Sequence, residues 1–329
     1  MKMRLLFGTL VTLSFIITSA SAQPTSPASP VPESAILEGR WAEVCRIVPT
    51  DAPSQFLLNV CYGFTEQWDK SKDAKSASSL SGGENAIRSL VANFIKKHPD
   101  NAYAQSLNAI LLRDTGQLDN ALEEWQRVTT LKPTSAVPFY EMAVIYGDRG
   151  NDTKRLELLQ KAIQADPNYG SSYWNMGNLL RKQNKYDEAA KAYQSGIKAL
   201  SAKGVTTGYV VGQLYYNWAY ILMNGPAPDT EKAFPLLEKA VAAYPRHYEA
   251  NNELGIAYKR KGNYEKAIEC YKRALEVNPK VPELWGNLGI AYARTGKKAD
   301  ARAAFKKILE IAPNGGAANL ARQWLSQLE

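Results

Sequence analysis

Along most of the chain, apolar residues recur three and four positions apart, the spacing that gathers them on one side of a helix. Between residues 282 and 313, Leu288, Gly289 and Tyr292 share one face of a first helix, and Ala301 and Phe305 share one face of a second. Gly296 lies between the two, where a positive φ ends the first helix. Pro313 stops the second, because it has no N–H and clashes with the preceding turn. The small residues Gly289 and Ala301 predict a close approach where the helices cross. Each helix is only about three or four turns long, too short to persist alone in water, so its apolar stripe predicts packing against neighbouring helices.

The same arrangement recurs with a period of about 34 residues. Carried back from the closing prolines, the register gives a first repeat at 102–135, with Ala109, Leu112, Gly116, Ala121, Trp125, Val128 and Pro133 at corresponding positions. The second, 136–169, carries Met142, Ala143, Tyr146, Gly150, Leu159, Ala162 and Pro167. The third, 170–203, carries Met176, Gly177, Leu180, Ala189, Tyr193 and Gly196, with Ser201 in place of the proline. An insertion at 204–211 breaks the period. The fourth repeat, 212–247, has a lengthened turn containing Pro226 and Pro228, and Pro235 inside its second helix predicts a bend there. The fifth, 248–281, returns to form with Leu254, Gly255, Tyr258, Gly262, Ala267, Tyr271 and Pro279.

In the last repeat, Trp285, Leu288, Gly289, Tyr292, Ala301, Phe305 and Pro313 follow the pattern W-x2-L-G-x2-Y…A-x3-F…P, and the chain resembles the tetratricopeptide repeat family over roughly two thirds of its length. The resemblance implies an all-α fold, a right-handed superhelical solenoid of antiparallel helix pairs, with six repeats over 102–315. It also implies that first helices line a concave groove through repeat positions 2, 5, 6, 9, 12 and 13. Carried over, those positions place Tyr140, Trp174, Asn175, Asn178, Arg181, Tyr216, Asn217, Tyr220, Asn252 and Lys259 toward a bound protein or peptide segment. Trp174, Tyr216 and Tyr220 are the expected anchors, since aromatic rings bury much area at low entropy cost. The other reading is that such rings pack between repeats. The family's clamp for a peptide's terminal carboxylate is expected to be absent: Asn178 and Asn217 match, but Trp174, Glu249 and Glu253 stand where it needs cations, and the two acids would repel a carboxylate.

The ends read differently. Lys2 and Arg4, an apolar run over 5–17 and Ala20-Ser21-Ala22 resemble a signal peptide at 1–22, cleaved after Ala22. A Pro/Ser-rich linker follows at 23–34. Residues 35–101 read as an N-terminal helical cap with a degenerate repeat, including helices over 33–48, 54–68 and 84–97. The tail, 316–329, is an amphipathic capping helix with Leu320, Trp324, Leu325 and Leu328 on one face.

A leader implies export, periplasmic or secreted, and an oxidising destination changes how the three cysteines read. Cys45 and Cys61 flank a loop with Pro49 and Pro53; they form either a disulfide or two buried thiols. Cys270 has no partner in sequence and reads as a small buried residue. The net charge is +8, and the stretch 246–322 holds fifteen Lys or Arg against eight Asp or Glu. That excess reads either as contact with an anionic membrane or wall polymer or as solvated outer helix faces. No nucleic-acid motif accompanies it. His98 and His247 both lie beside closing prolines, and no metal spacing, phosphate loop or nucleophile elbow is present. Asn151-Asp152-Thr153 reads as turn chemistry rather than a glycosylation sequon. The chain is therefore expected to be a non-enzymatic interaction protein needing no cofactor.

Overall fold

The computed structural model describes residues 52–65 and 84–328, with Ala35, Ile36, Glu38, Gly39, Trp41 and Val44. These fall in one unit, Val31–Glu329; the other, Met1–Pro30, lies outside the described residues, as do the leader and Cys45. Among the described residues, fifteen helices follow one another and no strand occurs. Two of them, α1 (Ala52–Phe64) and α2 (Glu84–Lys97), precede the repeats. Six pairs follow: α3 (Ala102–Asp114) with α4 (Leu118–Leu131), α5 (Ala136–Asp148) with α6 (Asp152–Ala165), and α7 (Gly170–Lys182) with α8 (Tyr186–Ala202). Then come α9 (Tyr209–Asn224) with α10 (Thr230–Ala243), α11 (Tyr248–Arg260) with α12 (Tyr264–Val277), α13 (Pro282–Arg294) with α14 (Lys298–Ile311), and finally α15 (Gly316–Gln327).

Each helix packs on the one before and the one after, the result of short connections that fold each pair back on itself. Beyond this stepwise packing, first helices also meet first helices, α7 with α9 and α11 with α13, and α13 meets α15. First helices therefore share one face of the array, the first-helix face. The turn inside a pair needs a left-handed residue: Gly296 takes φ 74° and, in the third repeat, Asn184 takes φ 61°, a conformation asparagine tolerates better than most.

Within a pair, the glycine of the first helix faces the aromatic ring of the second. A Cβ on Gly289 would lie 2.8 Å from the Phe305 ring, and one on Gly255 would lie 2.5 Å from Tyr271. Gly177 faces Tyr193 in the same way. The small residue expected to admit another small residue thus admits a ring. Phe305, Tyr271 and Tyr193 are fully buried there.

The closing prolines have a second role besides stopping helices. Their carbonyls accept from the fourth residue of the following first helix: Gln105 Nε2 to Pro99 at 2.6 Å, Asn251 Nδ2 to Pro245 at 2.8 Å, and Trp285 Nε1 to Pro279 at 2.8 Å. A carbonyl that would otherwise be stranded near a helix end is satisfied. Outside the core, a ladder of ion pairs joins the cationic end of a first helix to the acidic start of the second helix before it. Arg149 meets Asp119 at 2.7 Å, Lys182 meets Asp152 at 3.3 Å and Lys261 meets Glu231 at 2.8 Å. Each sign suits the helix end it occupies.

Three local expectations change. The insertion at 204–211 is half helix, since α9 begins at Tyr209 and buries Tyr209, Val210 and Val211. Its last loop residue, Gly208, donates its N–H to Ala243 O at 2.8 Å, tying the insertion to the end of α10. Helix α10 continues through Pro235 as expected of an internal proline that does not end it, with Leu236, Leu237 and Ala240 buried beside it. In α15 the buried positions are Ala318 and Ala321, while Trp324 stacks on Phe305 at 5.6 Å and Leu320 is among the exposed large apolar residues. In the N-terminal region, α1 starts at Ala52, two residues before the expected 54, and ends at Phe64.

The glycine–ring contact predicts opposite outcomes for two similar changes. Gly255→Ala should destabilise the protein by about 1–3 kcal/mol, because the fully buried Tyr271 ring cannot yield. Gly286→Ala, whose Cβ would meet only Ile308 and Leu320 at 3.7 Å, should stabilise it by about 0.5–1 kcal/mol through helix propensity. Urea midpoints followed by circular dichroism check both signs.

Candidate functional site

The residues expected on the groove divide into two sets. Trp174, Tyr140 and Asn217 are buried, at 8%, 6% and 7% exposure. Trp174 packs edge-on against Tyr209 with ring centres 5.7 Å apart, so the inserted segment covers it. This departs from the expectation of an open anchor. Tyr140 packs edge-on against Tyr169 at 5.3 Å, and Asn217 Nδ2 donates to Gln213 O at 2.8 Å within its own helix. Asn175 and Asn178 are half-buried and tied inward. Asn175 Nδ2 donates to Ser171 O at 3.1 Å and its Oδ1 accepts from Arg155 at 3.1 Å. Asn178 Oδ1 accepts from the Tyr193 hydroxyl at 2.8 Å. Glu141, also at a groove position, is buried in an ion pair with Arg113, which reaches Asp114 at 3.0 Å as well.

Toward α11 the face is more open. Tyr216 and Tyr220, one turn apart on α9, are half-buried with ring centres 6.3 Å apart. The Arg181 guanidinium, from α7, lies over the Tyr220 ring at 4.8 Å. That is the geometry of a cation held by a ring's negative face. His247 caps α11, its Nδ1 accepting from Ala250 N at 3.4 Å, and its ring sits 4.7 Å from Tyr216 and 6.2 Å from Tyr244. Tyr244 in turn touches Tyr209 at 5.4 Å. Rings therefore run from Trp174 through Tyr209, Tyr244, His247 and Tyr216 to Tyr220, where Arg181 returns to the helix that bears Trp174. We call this run the aromatic seam. His247, beside a closing proline, is buried at 2% exposure as part of this seam. No sequence pattern marks it, since its partners come from three elements.

Charges complete the face. Asn252 Nδ2 donates to Glu253 Oε1 at 3.3 Å, and Lys259 Nζ donates across to Asn287 Oδ1 of α13 at 2.8 Å. Burial raises the Glu253 carboxyl above its ordinary range, with Arg260 opposing. Burial also lowers the Lys259 ammonium, and nearby Arg260 adds to this. Burial first, then Glu249 and Glu253, push the Tyr216 hydroxyl upward. At Tyr248, burial and then Glu249, Glu283 and Glu253 act in the same direction. Glu249 and Glu253 of α11 thus act on both Tyr216 of α9 and Tyr248 at the start of α11, and Glu283 of α13 acts on Tyr248 as well. Elsewhere, burial pushes the Cys270 thiol up to about 11, which leaves it protonated and unreactive at neutral pH. Asn151 caps α6, accepting from Lys154 N at 3.0 Å. Among the described residues, no group of three or more His, Cys, Asp or Glu side chains is placed to hold a metal ion.

Two tetratricopeptide repeat profiles match the sequence, one over 229–269 and 252–316, the other over 158–191. Small glutamine-rich tetratricopeptide repeat-containing protein 2 of Mycosarcoma maydis is 28% identical over 95 residues, 29% of this chain. The match spans 26% of that protein's length, about a quarter. The uncharacterized protein MJ0572 of Methanocaldococcus jannaschii is 32% identical over 59 residues, 18% of this chain and 69% of its own. Among solved structures, the pilF protein of Pseudomonas aeruginosa superposes with a TM-score of 0.52 at 14% identity, covering 69% of this chain and 97% of pilF. At that identity the superposition speaks for the fold alone.

The raised Glu253 carboxyl gives a pH signature. Because its folded pKa lies above the unfolded one, the group favours the fold while protonated. That contribution is full below the unfolded carboxylate range and is lost as pH rises through the folded pKa. Glu253→Gln should therefore raise the melting temperature more at pH 7 than at pH 4. Thermal scans at the two pH values test it, and an equal shift at both would show that Glu253 is not responsible.

Proposed function

The chain is a tetratricopeptide repeat protein, and from that premise we propose that it is a non-enzymatic scaffold or assembly factor of the cell envelope whose first-helix face holds a segment of a partner protein. Proteins of this repeat class mediate protein–protein interaction. The observation that carries the reading here is the pair Tyr216 and Tyr220, half-buried between α7 and α11 with Arg181 over one ring. Tyr216 packs on His247 and against the core between α9 and α10, and both rings keep an exposed part. Side chains of this kind supply most of the energy of protein interfaces. Asn252, Lys259 and Arg260 extend the same face toward α13. Trp174 supports it from beneath, through Tyr209.

The envelope location rests on the leader-like start, the Pro/Ser-rich stretch after it and the cysteine pair. None of the described helices is long and apolar enough to cross a membrane. Export into an oxidising compartment goes with a Cys45–Cys61 bridge, which would close a loop worth about 3 kcal/mol. A second reading has one observation in its favour, the basic excess over 246–322, which suits docking on an anionic membrane or wall polymer.

Two measurements bear on this. Thiol titration of the protein purified from its native compartment, unfolded without reductant, should find one reactive thiol, Cys270, of the three cysteines. Three reactive thiols would remove the bridge and weaken the export reading. Partner recovery from an envelope extract should lose one specific protein when Tyr216→Ala/Tyr220→Ala replaces the native chain with unchanged circular dichroism. Equal recovery by both, abolished by moderate salt, would favour the anionic-surface reading instead.

A further inference from the structure

From α7 to α13 the charges on the first-helix face are sorted along the helices, and the sorting specifies a class of ligand. Toward the starts of α11 and α13 lie Glu249, Glu253 and Glu283. Toward the ends of α7 and α11 lie Arg181, Lys259 and Arg260. This is the order that the helix dipole favours, and on parallel first helices it gathers like charges into two rims. Tyr216 and Tyr220 lie between the rims on α9. Glu253 and Arg260 are seven residues apart on one helix, so the rims stand roughly 10 Å apart. An extended backbone running across the helices would occupy that width, and its side chains would point alternately to the two rims.

We propose that this face recognises an extended peptide segment whose side chains alternate in charge, basic residues meeting Glu249, Glu253 and Glu283 while the intervening acidic residues meet Arg181, Lys259 and Arg260. The inference rests on the partner-binding reading above and narrows it to one chemistry. Two details of the unbound protein support it. Burial works against the charge on both Glu253 and Lys259, so an opposite charge from a ligand would offset a cost already present on each rim. The cations also retain donor capacity: Lys259 is hydrogen-bonded to Asn287, yet an ammonium carries three N–H groups. Two sets of acids and bases also explain why the clamp for a terminal carboxylate is incomplete. Glu249 and Glu253 stand where that clamp needs cations, so the face has become an acceptor for cations on that rim.

The test uses two labelled octapeptides of identical composition and zero net charge, one alternating Lys-Glu-Lys-Glu-Lys-Glu-Lys-Glu and one in blocks of four Lys and four Glu. Alternation also places like charges four residues apart, which disfavours a helix and leaves the peptide extended. Fluorescence anisotropy against the full chain should show the alternating peptide bound at least ~10-fold more tightly than the block peptide. Glu253→Gln and, separately, Lys259→Gln should each erase most of that preference, with circular dichroism unchanged. Equal binding of both peptides, or a preference unchanged in both variants, overturns the proposal. If both peptides bind equally and Tyr216→Ala/Tyr220→Ala abolishes binding, the partner-binding reading stands and only the charge pattern falls. If neither binds, the charge pattern again falls, and partner recovery alone decides the broader reading.

Discussion

The structure depends on a ring set into a helix. In three of the six pairs a first-helix glycine faces a fully buried aromatic side chain of the second helix: Gly177 with Tyr193, Gly255 with Tyr271, Gly289 with Phe305. Without a Cβ the first helix lets the ring lie against its backbone, and the ring then excludes every other spacing. Truncating such a ring would cost about 3–5 kcal/mol, a large part of the roughly 5–15 kcal/mol by which a domain is stable. A constant separation within pairs makes the step between pairs constant too. That regular step helps set α7 against α9 and α11 against α13.

The second constraint is the satisfaction of backbone groups where one pair hands over to the next. A proline there ends a helix and removes a donor, but it leaves its own carbonyl to be accounted for. Gln105, Asn251 and Trp285 each supply a donor from the same position of the following helix. Three unlike side chains perform one task, so the tryptophan of the repeat pattern is as much a hydrogen-bond donor as an apolar filler. At the tail, Arg322 reaches the carbonyl of Pro313 at 2.7 Å from α15, which extends the arrangement beyond the last pair.

How much of this was legible beforehand depended on whether a contact repeats. Residues in the period, such as Leu288, Tyr271 or Pro279, advertise their role because the same chemistry recurs a repeat away. The helices from α3 to α14 could therefore be placed from apolar spacing and turn residues. Trp174 could not be placed. Its position in the register points to the groove, and what covers it, Tyr209, belongs to the insertion, where no period exists to indicate a partner. His247 was unreadable for the same reason, being held by Tyr216, Tyr244 and the start of α11 together. Tyr216 and Tyr220 stay half-buried, touched by His247 and Arg181. Leu320 misled in a different way: on α15 the approach to α14 is close, and the small residues Ala318 and Ala321 fit it better than leucine does.

The hydrophobic core is parcelled into successive clusters rather than gathered into one. A chain built this way is modular: a repeat can be duplicated, deleted or exchanged, and its neighbours need only the same glycine, ring and proline at the junction. The aromatic seam is where that freedom ends. It threads Trp174, Tyr209, Tyr244, His247 and Tyr216 through parts of two repeats and the insertion between them. None of these segments could be swapped alone without orphaning the others. The central repeats are thus coupled into one unit by their rings, while the contacts of the outer repeats stay between neighbours.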